Sequence, residues 1–515
     1  MLLKRRMAIR LLLALAAGAS VPVVFLGQHE SSLPPPRVES PQLPQVAEVP
    51  GLSRIGGKRF PIDLPSAMRL GNVRGLEIEL ARRRLQVSSA QLQGAKVLWL
   101  PSIVAGVDYN RHDGPIQEIA GPVIDASRSS FMIGGSPTAV FAVADAIFQP
   151  LAARQMVRAR QAETQAAAND TMLALTQTFF NLQQARGELA GYRDAQHHAD
   201  ELMRRLEKLA PGLTPTLEVN RARALTARLR QVTLQSENNW RVASAELLRI
   251  LYLDPNLVVD PVEPPHLRVS LLPLDKRVDD LVPVALTNRP ELAAQQALVQ
   301  ASLRLLRLEK LRPLVPSILL RGWSTPVTGT LGFGYFGGGV NGNLSGFNAR
   351  EDWDIQALWT LQNLGFGNRA LIRQKTAENR VALTELFRVQ DRVAAEVVQA
   401  YSQAQTAEAR IREAEAELKD AQTLVREDLA ALGQTQRLGE GGPIQLVARP
   451  LEVVAALQML QQAYADFYSS INDYNRAQFQ LYRALGNPAE SVLKQSGESS
   501  PSSAPARPSP TLTPP

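Results

Sequence analysis

The chain has 515 residues, of which 45% are hydrophobic and 20% are charged, and it contains no cysteine. A chain without cysteine has no disulfide, cysteine-ligated zinc site, iron–sulfur cluster, thiol nucleophile or lipidated N-terminal cysteine. Four of the basic residues behind the formal net charge of +7 precede the first acidic residue, Glu30. The remaining balance does not favour nucleic acid as a partner. The length allows about two or three domains.

Residues 1–27 have the pattern of a secretory signal peptide. A basic stretch, Lys4–Arg10, precedes an apolar run, Leu11–Leu26, and small residues near Ala19 offer a cleavage site. The run of about 16 residues is short for a spanning helix, which needs about 20. An uncleaved membrane anchor is the alternative interpretation.

Both ends of the chain are rich in proline. Residues 28–63 contain the run Pro34–Pro36 and four further prolines, which predicts an extended linker. Residues 488–515 combine proline with serine, which predicts a disordered tail.

The sequence between these ends repeats itself with a period of about 215 residues. Leu100–Val104 corresponds to Val315–Leu319 in the second copy of the pattern, and Glu246–Leu251 corresponds to Gln480–Leu485. A period this long indicates a duplicated module rather than a solenoid. We therefore predict a first repeat at 64–256, a connector at 257–278 and a second repeat at 279–487. Each repeat should contain a helix, two strands, a very long helix, a turn and a return helix.

The long helices carry apolar residues at alternating spacings of four and three, which is the pattern of a coiled coil. In the second repeat these positions are Ala400, Ala404, Ala407, Ile411, Ala414, Leu418, Ala421 and Val425, and in its return helix Val453, Leu457, Leu460, Tyr464, Phe467, Ile471, Tyr474, Gln478, Leu481 and Leu485. In the return helix of the first repeat they are Ala222, Leu225, Leu229, Val232, Ser236, Trp240, Ala243, Leu247 and Ile250. The first long helix, from about Gln149 to Ala210, would be roughly 90 Å long.

The strand regions alternate apolar and polar residues. Ile103, Ala105, Val107 and Tyr109 alternate with polar neighbours, as do Trp353–Leu361. Such segments suit either a small soluble sheet or a membrane β-barrel, in which every backbone polar group must be paired. Membrane barrels begin at eight strands. Because one chain offers four, a closed barrel requires several copies of the chain.

From about Leu64 to Asn487 the sequence resembles the TolC-like outer-membrane efflux family. The resemblance is carried by the paired Pro-Ser-Ile strand starts, by Pro211–Val219 and by Asp473–Asn475 leading to Ala484–Gly486. It implies a mainly α fold with a β-barrel part: a homotrimer with a 12-stranded β-barrel in the outer membrane and a 12-helix periplasmic tunnel.

The resemblance also implies a function. The protein would be a passive exit duct that works with a periplasmic adaptor protein and an inner-membrane RND or ABC-type pump. Its barrel would contact outer-membrane lipid, and it would need no cofactor, no metal and no catalytic residues. The competing hypothesis is a periplasmic coiled-coil scaffold without a channel.

Matching the family motifs assigns candidate site residues. Gly212, Leu213 and Thr214 match the tip where the adaptor docks, with Pro211 in place of the family's valine. Glu452 matches an inward-facing acidic ring at the periplasmic aperture, and Glu218 is its counterpart in the first repeat. Both acids also suit the first turn of a helix, where the helix dipole stabilises negative charge. The predicted aromatic girdle at the membrane surfaces comprises Tyr109, Trp323, Trp353 and Trp359.

Two motifs that suggest other chemistry are explained otherwise. Gly332–Gly337 fits the G-x-G-x-x-G pattern, but a dinucleotide site needs a helix to begin there. The glycine-rich segment that follows cannot start one, so we predict an external loop between the second pair of strands. His197 and His198 are adjacent on a helix and point about 100° apart, which disfavours a shared metal.

Overall fold

The computed structural model describes residues 59–209, 215–254, 256–321, 331–437 and 444–487. They belong to one structural unit, Arg54–Pro515. The predicted signal peptide, the proline-rich tail and most of the predicted linker lie outside the described residues, so these predictions remain untested.

Eight α-helices lie in the described ranges: α1 (Leu64–Arg74), α2 (Leu76–Lys96), α3 (Val143–Leu209), α4 (Thr216–Leu251), α5 (Val278–Asn288), α6 (Pro290–Leu311), α7 (Phe366–Ala431) and α8 (Pro450–Ala484). The strands there are β1 (Arg59–Ile62), β2 (Ser102–Gln117), β3 (Val123–Ala142), β4 (Val258–Pro261), β5 (Ser317–Arg321), β6 (Phe333–Gly339), β7 (Ser345–Glu351), β8 (Asp354–Leu358), β9 (Thr435–Arg437) and β10 (Ile444–Leu446). The duplicated module is confirmed, and two helices rather than one precede the strands of each repeat.

The breaks between these paired helices have local causes. At Gly75 the backbone leaves the helical region, with ψ of 106°, and α2 begins one residue later. At Arg289 ψ is 122°, because the following Pro290 disfavours helical geometry in the residue before it. Pro290 then occupies the first turn of α6, where its missing N–H costs nothing.

Four long helices form a row in the order α4, α3, α8, α7. α3 packs against α4 on one side and α8 on the other, and α8 packs against α7. At 67 and 66 residues, α3 and α7 are each about 100 Å long. The alanine-rich positions predicted on α7, Ala400 to Val425, are buried apart from the partly buried Leu418. None of the described helices has the length and continuous apolar character needed to cross a bilayer.

Two glycines on α3 let α8 approach closely. Gly187 lies under the ring of Tyr468, and Gly191 lies under the ring of Tyr464, so a Cβ at either glycine would collide with a tyrosine ring. The two tyrosine rings are nearly parallel, with centroids 6.4 Å apart. Glycine in a helix interior costs about 1 kcal/mol relative to alanine, and here the tyrosine packing offsets that cost.

An ionic network joins the two repeats beside the sheet end of the row. Arg289 is 3% exposed and donates to Glu291 and Glu396. Arg483 on α8 reaches the same Glu396 and also Asp170 on α3. Removing one partner would leave a buried charge uncompensated, which is strongly destabilising.

The sheet consists of four antiparallel strand lines. β2 pairs with β3 along its whole length, from Ser102 opposite Thr138 to Gln117 opposite Val123. The other edge of β3 pairs with β6 and then with β5, which continue each other as one line. β7 and β8 form the fourth line in the same way. The order is therefore β2, β3, β5 with β6, and β7 with β8.

The glycine-rich segment after Gly332 corrects one prediction. We expected an external loop there, but Phe333–Gly339 is strand β6 and is paired on both edges. At Gly134 and Gly334 the two strands approach so closely that a Cβ on either would collide with the backbone of the other strand. Glycine is therefore required at this crossing of two strands.

Part of the predicted linker and of the connector is also ordered. β1, at the end of the predicted linker, pairs in parallel with β4 in the connector. The connector continues across α8, where Asn475 accepts from the Val269 N–H and Gln478 accepts from the Leu271 and Leu272 N–H groups. These side chains hold the connector against the second helical hairpin.

We predict that Gly191→Ala destabilises the protein by about 1–3 kcal/mol, because the added methyl group overpacks the contact with Tyr464. Gly94→Ala is the matched control, since it lies in α2 with nothing within 4 Å of an added Cβ. That variant should gain about 0.5–1 kcal/mol from helix propensity. Chemical unfolding of both variants measures the difference, and an equal response would contradict the packing argument.

Candidate functional site

One face of the sheet is apolar and exposed. The register places Ile103, Val107 and Tyr109 of β2 on the same face as Ile133 of β3, which lies opposite Val107. In the chain Ile103 is 77% exposed and Val107 61% exposed. On the same face, β5 contributes Ile318 and Leu320, and β8 contributes Ile355. A continuous exposed apolar face on a sheet is suited to contact with another apolar surface.

An aromatic row crosses this face at the level of Tyr109, midway along β2. Tyr109 lies opposite Phe131, and Phe131 lies opposite Gly337 of β6. The ring of Phe347 covers Gly337 and makes an edge contact with Phe131, with centroids 6.3 Å apart. Only Tyr109 was predicted. The others were missed because the glycine-rich segment was predicted as a loop, so its strand register was not considered.

The predicted tryptophans lie at different heights. Trp359 follows β8 at the opposite end of the apolar face and is 61% exposed. Trp99, which precedes β2, lies near the same end of the sheet. Trp353 stacks on Phe333, which the register places level with Gly135 and hence between the two ends. Trp323 lies outside the described residues. The register places Trp359 twelve residues of strand from the level of Tyr109, which corresponds to about 40 Å along the strand.

The other face of the sheet is more polar. It presents Asp108 of β2, Ser130 of β3 and Arg350 of β7, together with the apolar pair Met132 and Phe336. The guanidinium of Arg350 lies 4.9 Å from the ring centroid of Phe336 and donates to Asp352 at 2.8 Å. The sheet therefore has one apolar face and one more polar face.

Two edges of the sheet remain open within the described residues. β2 pairs there only with β3, and the β7–β8 line pairs only with β6 and β5. Unpaired N–H and C=O groups along such edges form a template for a further strand.

The far end of the helical row carries a group of carboxylates. Glu452 lies in the first turn of α8, and its Oε2 accepts the Arg449 N–H at 2.9 Å. It therefore caps α8, as the helix-dipole interpretation expects. Asp428, near the end of α7, has a pKa above its ordinary value because of partial burial and then the negative charges of Glu452 and Glu427.

Glu218 lies in the corresponding first turn of α4. Its Oε1 accepts from Arg221 at 2.6 Å, while its Oε2 is buried without a hydrogen-bond partner in the described structure. The predicted docking residues Gly212, Leu213 and Thr214 immediately precede α4 and lie outside the described residues.

A polar link that sequence reasoning missed joins three helices above this end. The Tyr464 hydroxyl of α8 donates to Asp194 of α3 at 2.8 Å and accepts from Gln422 of α7 at 3.1 Å. Burial raises the pKa of Tyr464 to about 12, so the hydroxyl keeps its proton at neutral pH. Nearer the end, Arg205 of α3 donates to the carbonyl of Leu429.

The described residues contain no group of three or more histidine, aspartate or glutamate side chains that could hold a metal ion. The His197 and His198 rings are 5.8 Å apart and at 72° to each other. His198 instead lies 3.7 Å from Asp194 and 4.0 Å from Glu201.

We predict that Glu452→Gln lowers the pKa of Asp428 toward its ordinary value, because it removes a nearby negative charge. The pKa should stay elevated, since burial is the larger cause. In both proteins the raised pKa means that Asp428 contributes stability at low pH, which is lost as pH rises through its pKa. Carboxyl carbon NMR titration measures the change. Glu427→Gln, the weaker neighbour, should have a smaller effect, and an unchanged titration in Glu452→Gln would contradict this account.

Neither a protein-family model nor a curated protein matches this sequence. Solved structures do match its fold. A membrane protein from Pseudomonas aeruginosa is 17% identical, with a TM-score of 0.67 over 82% of this chain and 93% of that one. The CmeC outer membrane channel of Campylobacter jejuni is 16% identical, with a TM-score of 0.66 over 84% of this chain and 88% of that one.

The channel protein CusC is 17% identical, with a TM-score of 0.65 over 85% of this chain and 96% of that one. The similarity spans both repeats, and it agrees with the resemblance drawn from the sequence motifs. The chain therefore has the fold of outer-membrane channel proteins of the TolC-like type.

Proposed function

We propose that this protein is an outer-membrane exit duct of the TolC-like family, which exports substrate passively through a trimeric channel. The observation that carries the proposal is the four-line sheet with one apolar face and two open edges. Two copies would supply eight strand lines and three would supply twelve, so a closed barrel needs at least two chains. The resemblance to the TolC-like family implies three chains.

The apolar face would contact lipid and the polar face would line the barrel. Aromatic residues at Tyr109 and Trp359 would lie at the two membrane surfaces, since about 40 Å along strands tilted by about 40° spans about 30 Å of the membrane, close to the apolar band of about 25 Å in such barrels. The helical row would continue the barrel as a tunnel through the periplasm. Localisation in the outer membrane follows from this arrangement.

The exit duct would depend on partners for energy. A periplasmic adaptor would dock at the tip formed by Gly212, Leu213 and Thr214, and an RND or ABC-type pump in the inner membrane would drive transport. The solved structures that share the fold include the outer-membrane channels OprN and CmeC. This similarity supports a role in transport rather than catalysis.

The carboxylates at the tip would control what enters. In a trimer, Glu452 and Glu218 would each occur three times around the axis. Like charges converging on a narrow, low-dielectric opening repel anions and attract cations. Capping of α8 by Glu452 is compatible with this role, because its second carboxylate oxygen is not used in the cap.

We predict that the purified protein conducts ions across planar lipid bilayers and that Glu452→Ala raises the conductance or reduces the preference for cations. Glu452→Gln should act in the same direction while retaining an oxygen to cap α8. Glu246→Ala removes the same charge from an exposed site on α4, near the sheet end, and should leave conductance unchanged. A protein that forms no channel and is recovered as a soluble monomer would favour the scaffold hypothesis.

We also predict that Ala105→Arg reduces recovery of the folded protein from outer membranes, whereas Val104→Arg is tolerated. Ala105 lies on the apolar face near its middle, where arginine costs about 2–4 kcal/mol in a membrane barrel. Val104 is the next residue and points to the polar face. Denaturant unfolding in lipid measures the cost, and equal tolerance of both variants would contradict the orientation of the sheet.

A further inference from the structure

The two end helices of the row each have an open face. α4 and α7 bury one side against α3 and α8 respectively. α1 also contacts α4, and α5 and α6 contact α7. The hydrogen bonds between α6 and α7 lie at Ala382 and Asn379, nearer the sheet, so the half of α7 toward the far end of the row keeps an exposed side within the described residues. In a ring of identical chains, the open face of α4 in one copy meets the open face of α7 in the next. This contact rests on the proposed function, because it exists only in the assembled ring.

The open face of α7 carries two acids seven residues apart. Asp420 and Glu427 are exposed and lie across the helix from the buried residues Val425 and Leu429. Neither acid forms an ion pair within the described part of the chain. Residues seven apart lie on the same face of a helix in a coiled coil, so both acids point toward the neighbouring copy.

The open face of α4 is flanked by two arginines at the same spacing. Arg221 and Arg228 are both exposed. Arg228 makes no ion pair in the described structure, and Arg221 contacts only its helical neighbour Glu218. α4 and α7 run in opposite directions, so a pair of charges seven residues apart on one can match a pair on the other.

The heights of these residues can be compared through contacts inside one chain. The hydroxyl of Thr226 lies 3.5 Å from the Ala199 carbonyl, which relates α4 to α3. The bond from Arg205 to the Leu429 carbonyl relates α3 to α7. With these offsets, Arg228 lies about level with Ala421. A rotation about an axis parallel to the helices preserves height, so Arg228 of one copy lies within about one helical turn axially of Asp420 in the next.

The same offsets place Arg221 one residue from the level of Glu427. Two pairs of oppositely charged residues, here called rungs, therefore lie at similar heights in neighbouring copies: Arg228 with Asp420, and Arg221 with Glu427.

The charged residues that form these rungs on α4 and α7 also lie on the same side of the helical row. On α4, Arg223, Arg230 and Ser244 lie on the other flank, where Ser244 accepts the Val259 N–H of β4. On α7, Tyr401 donates to backbone carbonyls of the connector, and the basic residues Lys419 and Arg426 follow that flank. β4 begins the connector, which runs from Ser244 of α4 past Asn475 of α8 to Tyr401 of α7 and so covers one side of the row. Arg228 therefore lies on the side away from β4, which leaves it free to meet the acids of α7.

We propose that Arg228 and Arg221 on α4 of each copy pair with Asp420 and Glu427 on α7 of the next copy, and that these rungs fix the assembly of the ring. Charge-bearing positions that flank a helix–helix contact set partner choice and orientation in coiled coils. The occupant of the open face of α7 is therefore a second copy of this chain.

The test measures the molar mass of the detergent-purified protein by light scattering. Arg228→Glu should convert most of the trimer to smaller species, and Asp420→Arg should do the same. The double variant Arg228→Glu with Asp420→Arg should restore the trimer, because the attraction is reversed rather than removed. Arg223→Glu reverses a nearby charge on the β4 side of the same helix and should leave the trimer intact.

Three outcomes would overturn the proposal: an intact trimer in Arg228→Glu and Asp420→Arg, no recovery in the double variant when circular dichroism shows it folded, or equal loss in Arg223→Glu. The failure of the proposed function has a different signature, since the unaltered chain would then be monomeric or would conduct no ions. A trimer that conducts but ignores these substitutions contradicts only the ion-pair rungs.

Discussion

The constraint on which the rest of the structure depends is that backbone N–H and C=O groups cannot remain unpaired in lipid. The sheet has an apolar face suited to lipid, yet it leaves the edges of β2 and of the β7–β8 line open within the described residues. A single chain cannot satisfy both conditions. In the proposed assembly, sharing the sheet among several copies would resolve the conflict, and the helices below would then be arranged around the same axis.

The helical row follows from this requirement. A helix at the middle of the row, such as α3, needs a packed stripe on each of two sides, which explains the small residues Gly187 and Gly191 on the side facing α8. The exposed sides of the end helices α4 and α7 carry charged residues such as Arg228 and Asp420 beside exposed apolar ones such as Val242. In the proposed ring, the charges would select the neighbouring helix and the apolar side chains would be covered by it.

The sequence predicts the long helices well because their spacing is regular, but the heptad pattern is slightly wrong for α4. Val232, Ala243 and Ile250, which we expected on the packed side, are only partly buried, whereas their neighbours Thr233, Ser244 and Leu251 are buried. A straight α-helix has 3.6 residues per turn, so its packed stripe drifts relative to a strict heptad. α3 also begins at Val143, earlier than predicted, and includes Pro150.

The strands were less predictable where glycine dominates. Glycine has no intrinsic preference for a strand, and the pairing of Gly334 beside Gly134 depends on residues about 200 positions apart. The aromatic row with Phe131 and Phe347 follows from that pairing, so it could not be predicted separately. Likewise, the raised pKa of Asp428 requires Glu452 to be nearby, and only the fold of the second hairpin brings them together.

Hydrogen–deuterium exchange of β2 in the lipid-embedded protein tests the central claim most directly. If neighbouring copies close the sheet, nearly all amide hydrogens of Ser102–Gln117 should exchange slowly, because both edges of the strand are paired. If each chain keeps its own open sheet, about half of these amides would point to an unpaired edge and exchange at the rate of a free strand. That result would contradict assembly through the sheet.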